Sequence, residues 1–218
     1  MTDRHWLDWH DQYDEAGSTL SRRLELVRAQ IQGHLDRAAP GPIRAISICA
    51  GQGRDLIGVL ANHPRRRDVT SRLVELDPDN AAEARRLAAD AGLDRVEVVT
   101  ADASVTTAYE GAVPADLVLA CGVFGNITDA DIDRTIGYLP TFCAPGATLI
   151  WTRHRMAPDA TPRIRARLAD VGFEEVAFEP VENAHATVGT NRLASEPPPF
   201  ERDVKLFEFV GWGELANG

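Results

Sequence analysis

The chain reads as a doubly wound α/β domain, with a mostly parallel sheet covered by helices on both faces. Three observations carry this reading. Short apolar or β-branched runs alternate with amphipathic, helix-spaced runs along almost the whole chain. The first strand-like run, Arg44 to Cys49, passes into Ala50-Gly51-Gln52-Gly53, a glycine turn that opens a helix. The second, Arg72 to Leu76, carries the carboxylate of Glu75 at its end, where sheets of this class bind ligands.

A length of 218 residues suits one such domain with a full core. Its expected division is an N-terminal lid and helix over 1–39 and an α/β core over 40–212. The formal charge of −10 argues against a nucleic-acid partner, which needs a basic surface. No run is long enough to span a membrane, and Met1 to Trp6 does not read as a signal peptide, so a cytoplasmic protein is expected. The cysteines 49, 121 and 143 form an odd, unpatterned set, consistent with reduced thiols and no zinc site. The basic residues are arginines except for Lys205, and with abundant alanine this suggests a GC-rich bacterial source.

Taken in order, residues 3–16 are an aromatic, polar lead-in holding Trp6, Trp9, His10 and Tyr13. A helix is predicted from Ser18, with Leu20, Leu24, Val27, Ile31 and Leu35 on one face, ending before Pro40-Gly41-Pro42. After the first strand and glycine turn, a helix should run to about Asn62. Arg65-Arg66-Arg67 reads as a solvated basic turn rather than a phosphate site. Asp77 and Pro78 supply an N-cap and first helical residue for a helix ending at Gly92. A third strand, Arg95 to Val99, leads to Asp102. A fourth, Ala115 to Cys121, is almost wholly apolar, as a central parallel strand should be. Thr128 to Asp131 resembles a capping box for a helix disturbed at Pro140. Pro145-Gly146 should turn into a fifth strand, Ala147 to Thr152. Thr161-Pro162 should cap a further helix, Phe173 to Val181 should be a strand, and residues 183–203 an irregular connection. Val204 to Val210 is then the final, antiparallel strand.

Four places converge at the carboxyl ends of the strands: Ala50 to Gly53, Glu75, Asp102, and Cys121 to Asn126. Glu75 can accept hydrogen bonds from both hydroxyls of a ribose, whereas Asp77 is occupied as a cap. Asp102 can accept from an exocyclic amine or cap the following turn. Asn126 can face an incoming substrate or cap a helix.

This arrangement resembles the class I S-adenosylmethionine-dependent methyltransferases. The matching pieces are Ile48-Cys49-Ala50-Gly51-Gln52-Gly53, Val74-Glu75-Leu76-Asp77-Pro78, Thr100-Ala101-Asp102-Ala103 and Ala115 to Gly122. Pro145 to Ile150 and Ala169 to Phe173 add to these, so the resemblance spans about residues 40–212. It implies a seven-stranded sheet in the order 3-2-1-4-5-7-6 with the last strand antiparallel. It implies S-adenosyl-L-methionine as cofactor, with S-adenosyl-L-homocysteine as product. Gly51 and Gly53 would face the methionine moiety, Glu75 the ribose, and Asp102 with the Ala103 amide the adenine. Cys121 and Gly122 would flank the sulfonium, and Ala50 and Leu76 complete the cofactor set. Cys49 stands where the family usually has an acid. The fourth strand lacks the terminal Asp of magnesium-dependent catechol enzymes, and no metal is expected.

The expected reaction is methyl transfer to a small-molecule O or N acceptor. His154 is the first candidate base and Tyr13 the second, with Phe124, Asn126, Arg153 and Arg155 around the acceptor. Two other readings stand beside it. A nicotinamide-dependent oxidoreductase would need a third glycine where Leu56 stands. A catalytically idle cofactor-binding or scaffold protein would share the same cofactor residues.

Overall fold

The computed structural model describes residues 18–210. Tyr13 and the expected aromatic lid therefore lie outside the described residues. Seven strands form one sheet: β1 Ile43–Ile48, β2 Val69–Glu75, β3 Val96–Thr100, β4 Ala115–Ala120, β5 Cys143–His154, β6 Phe173–Pro180 and β7 Ala186–Leu193. Their spatial order is β3-β2-β1-β4-β5-β7-β6. The pairs from β3 across to β5 are parallel, and β7 runs antiparallel to both β5 and β6. The expected fold class and order are therefore found.

Alternation along the central strands divides the core into two layers. Ile46, Ile48, Val118, Ala120, Leu149 and Trp151 face one side, which α4 (Asp129–Phe142) and α5 (Thr161–Asp170) cover. Ala45, Leu117, Leu119 and Ile150 face the other, covered by α1 (Thr19–Arg37), α2 (Leu56–Leu60) and α3 (Pro78–Asp90). Burial on both faces explains why these strands are apolar throughout. No helix among the described residues is long and apolar enough to cross a membrane.

Helix α1 starts where expected. The Ser18 hydroxyl accepts the Ser21 N–H at 3.0 Å, and Leu20, Val27, Ile31 and Leu35 are buried. Its Arg28 crosses Gly58 to donate twice to the Arg54 carbonyl, at 3.0 and 2.6 Å, which ties α1 to the loop after β1.

Of the arginines in the basic turn only Arg67 is solvated; Arg65 and Arg66 are engaged. Arg65 donates to the Ala38 carbonyl at 2.6 Å and to those of Ala39 and Gly41 at 2.9 Å, beyond the C-terminus of α1. Arg66 bonds the Ala91 carbonyl and, at 3.1 Å, that of Gly92 at the end of α3. Two helix ends whose carbonyls lack intrahelical partners are thus closed by cations, which also suit the negative ends of their dipoles. His63 completes the turn: its Nδ1 accepts the Arg65 N–H, which leaves Nε2–H to donate to Asp36 at 3.1 Å.

The sequence misplaces the last strand. Residues 204–210 form only one isolated bridge, Val105 to Lys205, and the seventh strand is Ala186–Leu193, inside the stretch expected to be irregular. Its Gly, Asn and Thr residues suggest a loop, yet each has a partner in the packed interior. The Trp151 ring lies on Gly189, and a Cβ there would overlap it. The Trp151 indole N–H donates to Asn191 Oδ1 at 2.8 Å. Thr187 donates to the Arg153 carbonyl at 2.8 Å and Thr190 to Gln30 at 3.1 Å.

Smaller differences follow local packing. Helix α2 stops at Leu60, short of Asn62. Strand β5 begins directly after α4, with Pro145-Gly146 inside it where its register against β4 shifts. The cap of α5 is the Asp159 carboxylate, which accepts the Thr161 N–H at 2.9 Å and its hydroxyl at 2.7 Å. Thr128 accepts the Asp131 N–H at 3.2 Å, but the Asp131 carboxylate turns to Arg134 rather than back to the cap.

Two glycine substitutions separate propensity from packing. Gly33→Ala, within α1 and near only the flexible Arg37 side chain, should stabilise the fold by up to about 1 kcal/mol. Gly189→Ala should destabilise it by about 1–3 kcal/mol through overpacking against Trp151. Urea unfolding followed by fluorescence and circular dichroism measures both. Equal effects at the two positions would contradict the packing assigned to β7.

Candidate functional site

The chain leaves β1 for one side of the sheet and returns through β4 to the other, so a crevice opens beyond the carboxyl ends of β1 and β4. There the backbone departs from the strand. Cys49 takes φ 53° and Gly51 φ 54°. The Ala50 N–H still reaches the Val74 carbonyl at 3.0 Å, extending the ladder to β2 by one bond before the turn.

Glu75, at the end of β2, fixes that turn. One carboxylate oxygen accepts the Gly51 N–H at 2.7 Å, and the other accepts the Asp77 N–H at 2.9 Å. The residue is 9% exposed. Burial raises its pKa above the ordinary glutamate value, opposed by these N–H donors and reinforced by the nearby Asp77 carboxylate. Asp77 caps α3 as expected, accepting the Asp79 and Asn80 N–H groups at 2.9 and 2.8 Å.

Gly53 has a different task from the one expected. It adopts φ +64°, and a Cβ there would overlap Leu73 and Ile57 in the core. It does not line the cavity, and packing rather than ligand approach requires it.

Beyond β3, Asp102 Oδ1 accepts the Ser104 N–H at 2.9 Å and the Ser104 hydroxyl at 2.6 Å, while Oδ2 accepts the Lys205 ammonium at 2.7 Å. Burial works against its ionisation, but Lys205 and Ser104 outweigh that and hold the carboxyl below the usual aspartate range. Beyond β4, Gly122 takes φ 79° and donates its N–H to the buried Thr152 hydroxyl at 2.8 Å. Asn126 does not cap a helix. Its side chain donates to the Gly122 carbonyl at 2.6 Å and closes the turn.

These four places enclose one cavity of about 730 Å³. Ala50, Gly51, Glu75, Leu76, Asp102, Ala103, Cys121, Gly122 and Asn126 all line it. Burial pushes the Cys49 thiol up, with Glu75 and Asp102 adding to the effect. It does the same to Cys121, with Asp55 adding and Arg23 opposing. Both stay protonated at neutral pH and are poor nucleophiles.

The expected acceptor wall is not there. Phe124 is fully buried, its ring 5.9 Å from that of Trp151, because the residue after Val123 turns into the core. Arg153 points behind the Gly122–Asn126 turn and donates to the Phe124 carbonyl at 2.6 Å. His154 lies on the same side, near Gly125, and Arg155 sits 3.7 Å from Asp159 at the surface. None of the four lines the cavity. Burial, Arg153 and His185 lower the His154 pKa against Asp159, so its imidazole is neutral at pH 7.

In their place the cavity is walled by Arg23, Leu24 and Val27 of α1, by Asp55, and by Lys205, Phe207, Glu208 and Phe209. Sequence reasoning missed these residues. Leu24 and Val27 read as core stripe, and the 204–210 run read as a strand. The isolated lysine was the one signal for Lys205.

No protein-family description matches the chain, and no curated protein matches it by sequence. Solved structures do resemble it. An O-methyltransferase family protein from Burkholderia thailandensis superposes with a TM-score of 0.63 at 20% identity, over 79% of this chain and 55% of that one. The chain thus spans about half the length of that protein. The 1,6-didemethyltoxoflavin-N1-methyltransferase of the same organism, solved with bound 1,6-didemethyltoxoflavin and S-adenosylhomocysteine, gives 0.63 at 17% identity over 87% of both chains. The [4+2]-cyclase SpnF gives 0.56 at 15% identity, over 75% of this chain and 79% of that one. A cyclase among them means that the architecture by itself does not fix the reaction. The chain has the fold of the class I S-adenosylmethionine-dependent methyltransferases.

Proposed function

We propose that the cavity binds S-adenosyl-L-methionine and that the protein transfers its methyl group to a small-molecule O or N acceptor, leaving S-adenosyl-L-homocysteine. The observation that carries this is Glu75. Its two oxygens accept the Gly51 and Asp77 N–H groups, one each, in the cavity wall at the end of β2. That pair of acceptors suits the two hydroxyls of a ribose. The surrounding residues fit the rest of the molecule. Leu76 is 62% exposed and, with Ala103, offers apolar surface to an adenine ring. Asp102 accepts from its amino group, Ala50 and Gly51 let the methionine moiety approach the backbone, and Cys121 and Gly122 border the sulfonium.

The cofactor supplies a methyl carbon already activated for in-line displacement. The chain's part is to align the acceptor and exclude water. Gly122 and Asn126 form the floor on which an acceptor rests. The removal of an acceptor proton is not assigned to His154, whose ring lies behind that floor; Tyr13 lies outside the described residues. The nicotinamide reading is disfavoured by Leu56, a fully buried first residue of α2 where a dinucleotide turn needs glycine. The acidic balance of the chain supports a small-molecule acceptor rather than nucleic acid, the arginine- and alanine-rich composition a bacterial source, and the unpaired cysteines a cytoplasmic one.

Isothermal calorimetry tests the cofactor directly. S-adenosylmethionine and S-adenosylhomocysteine should both bind, and NAD should not; the reverse pattern would overturn the reading. Methyl transfer to any acceptor from labelled cofactor then separates an enzyme from an idle binding protein.

Glu75→Gln should weaken S-adenosylhomocysteine binding by at least about tenfold, because hydrogen bonds to a charged acceptor are worth about 1.5–3 kcal/mol. Asp77→Asn, which keeps the cap, should change it little. In the wild type, affinity should fall as pH drops through the raised pKa of Glu75, above the ordinary glutamate value of 4.5. A carboxyl with a raised folded-state pKa adds stability as the pH falls, so Glu75 itself does not drive unfolding there. A larger loss at Asp77→Asn than at Glu75→Gln would place the ribose elsewhere.

A further inference from the structure

Lys205 is the only lysine in the chain, and it stands in the cavity wall. Its backbone is fixed on the same loop that carries Asp102. Lys205 bridges Val105, the Leu206 N–H donates to the Ser104 carbonyl at 2.7 Å, and the Thr106 N–H donates to the Val204 carbonyl at 3.0 Å. Leu206 and Phe207, which follow, are buried in the core. The ammonium is therefore placed by the fold and not by a loose end.

An ammonium in the wall of a cavity for a cationic ligand needs a reason. As a half-exposed ion pair with Asp102 it contributes little to stability. Its geometry offers more. An aspartate carboxylate has about four lone-pair sites. Ser104 takes two on Oδ1, and Lys205 takes one on Oδ2. One remains on Oδ2, and the ammonium keeps two further N–H groups. The pair thus shows an acceptor beside a donor.

We infer that Lys205 is a purine-reading residue: Asp102 accepts from the amino group of a 6-aminopurine while Lys205 donates to the neighbouring ring nitrogen. The inference rests on the proposed cofactor, and it adds a side-chain donor to the backbone donor that the Ala103 amide offers the adenine. The opposing possibility is competition, in which adenine takes the Asp102 oxygen and expels the lysine. The two differ in sign. A reader strengthens binding and is shielded by the ligand; a competitor weakens binding and is released by it.

Titrating S-adenosylhomocysteine into the full-length wild type, K205R and K205M reads the first difference. K205M should bind about tenfold more weakly, and K205R, which keeps the donors, should recover much of the loss. Acetylation of Lys205 by acetic anhydride, followed in the wild type by peptide mass spectrometry, reads the second and does not depend on how K205M folds. S-adenosylhomocysteine should slow it. K205M binding as tightly as the wild type or tighter, or faster acetylation with ligand present, would overturn the role of Lys205 and leave the cofactor assignment standing. A wild type that binds no S-adenosylhomocysteine would overturn both.

Discussion

The Glu75 carboxylate is the constraint on which the site depends. It accepts the Gly51 N–H with one oxygen and the Asp77 N–H with the other. The turn after β1, the end of β2 and the entry to α3 are thereby held at one edge of the sheet. Burial of a carboxylate without a cation is unfavourable, and the two N–H donors offset that only in part, as its raised pKa records. Glu75 also stands in the cavity wall. The group that organises the turn is thus the group available to a ligand, and this arrangement persists because the strands beneath it are fully packed on both faces.

The parallel sheet builds only part of the cavity. The remainder comes from α1 and from the 205–209 segment, and both are anchored in the core. Arg28 and the Val27, Ile31 and Leu35 stripe hold α1 in place, while Leu206 and Phe207 hold the segment that crosses from Asp102 toward Asn126. The Val210 N–H closes that crossing on the Asn126 carbonyl at 2.9 Å. Sheet-borne residues and these added elements together wall the cavity.

How much of this was legible in the sequence follows from how each signal arises. Periodicity and strand-end glycines report on the backbone, so the fold class, the strand order implied by the family resemblance, the Asp77 cap and the cavity positions of Gly51, Glu75 and Asp102 were readable. Strand β7 was not, because its Gly189, Thr190 and Asn191 are matched to Trp151 and Gln30, partners distant in sequence. The 204–210 run is apolar like a strand but uses Leu206 and Phe207 to pin a crossing segment. Arg65 and Arg66 looked solvated because the helix ends they close lie elsewhere in the chain. The acceptor wall was misjudged for a similar reason: Arg153 and His154 do leave the carboxyl end of β5, but the Gly122–Asn126 turn lies between them and the cavity.

Chemically, the site asks little of individual side chains. Its thiols are held protonated, His154 lies outside the cavity lining, and Glu75 and Asp102 are engaged by donors of the chain itself. On the proposed function such a site acts by placement and dehydration, which suits a cofactor that carries its own activated carbon. The measurement that tests this most directly is a crystal structure of the protein with S-adenosylhomocysteine. The account predicts both ribose hydroxyls within hydrogen-bond distance of the Glu75 oxygens, with the sulfur over Cys121 and Gly122. A nucleoside bound outside this cavity, or a ribose held by Asp77 with Glu75 turned away, would contradict it.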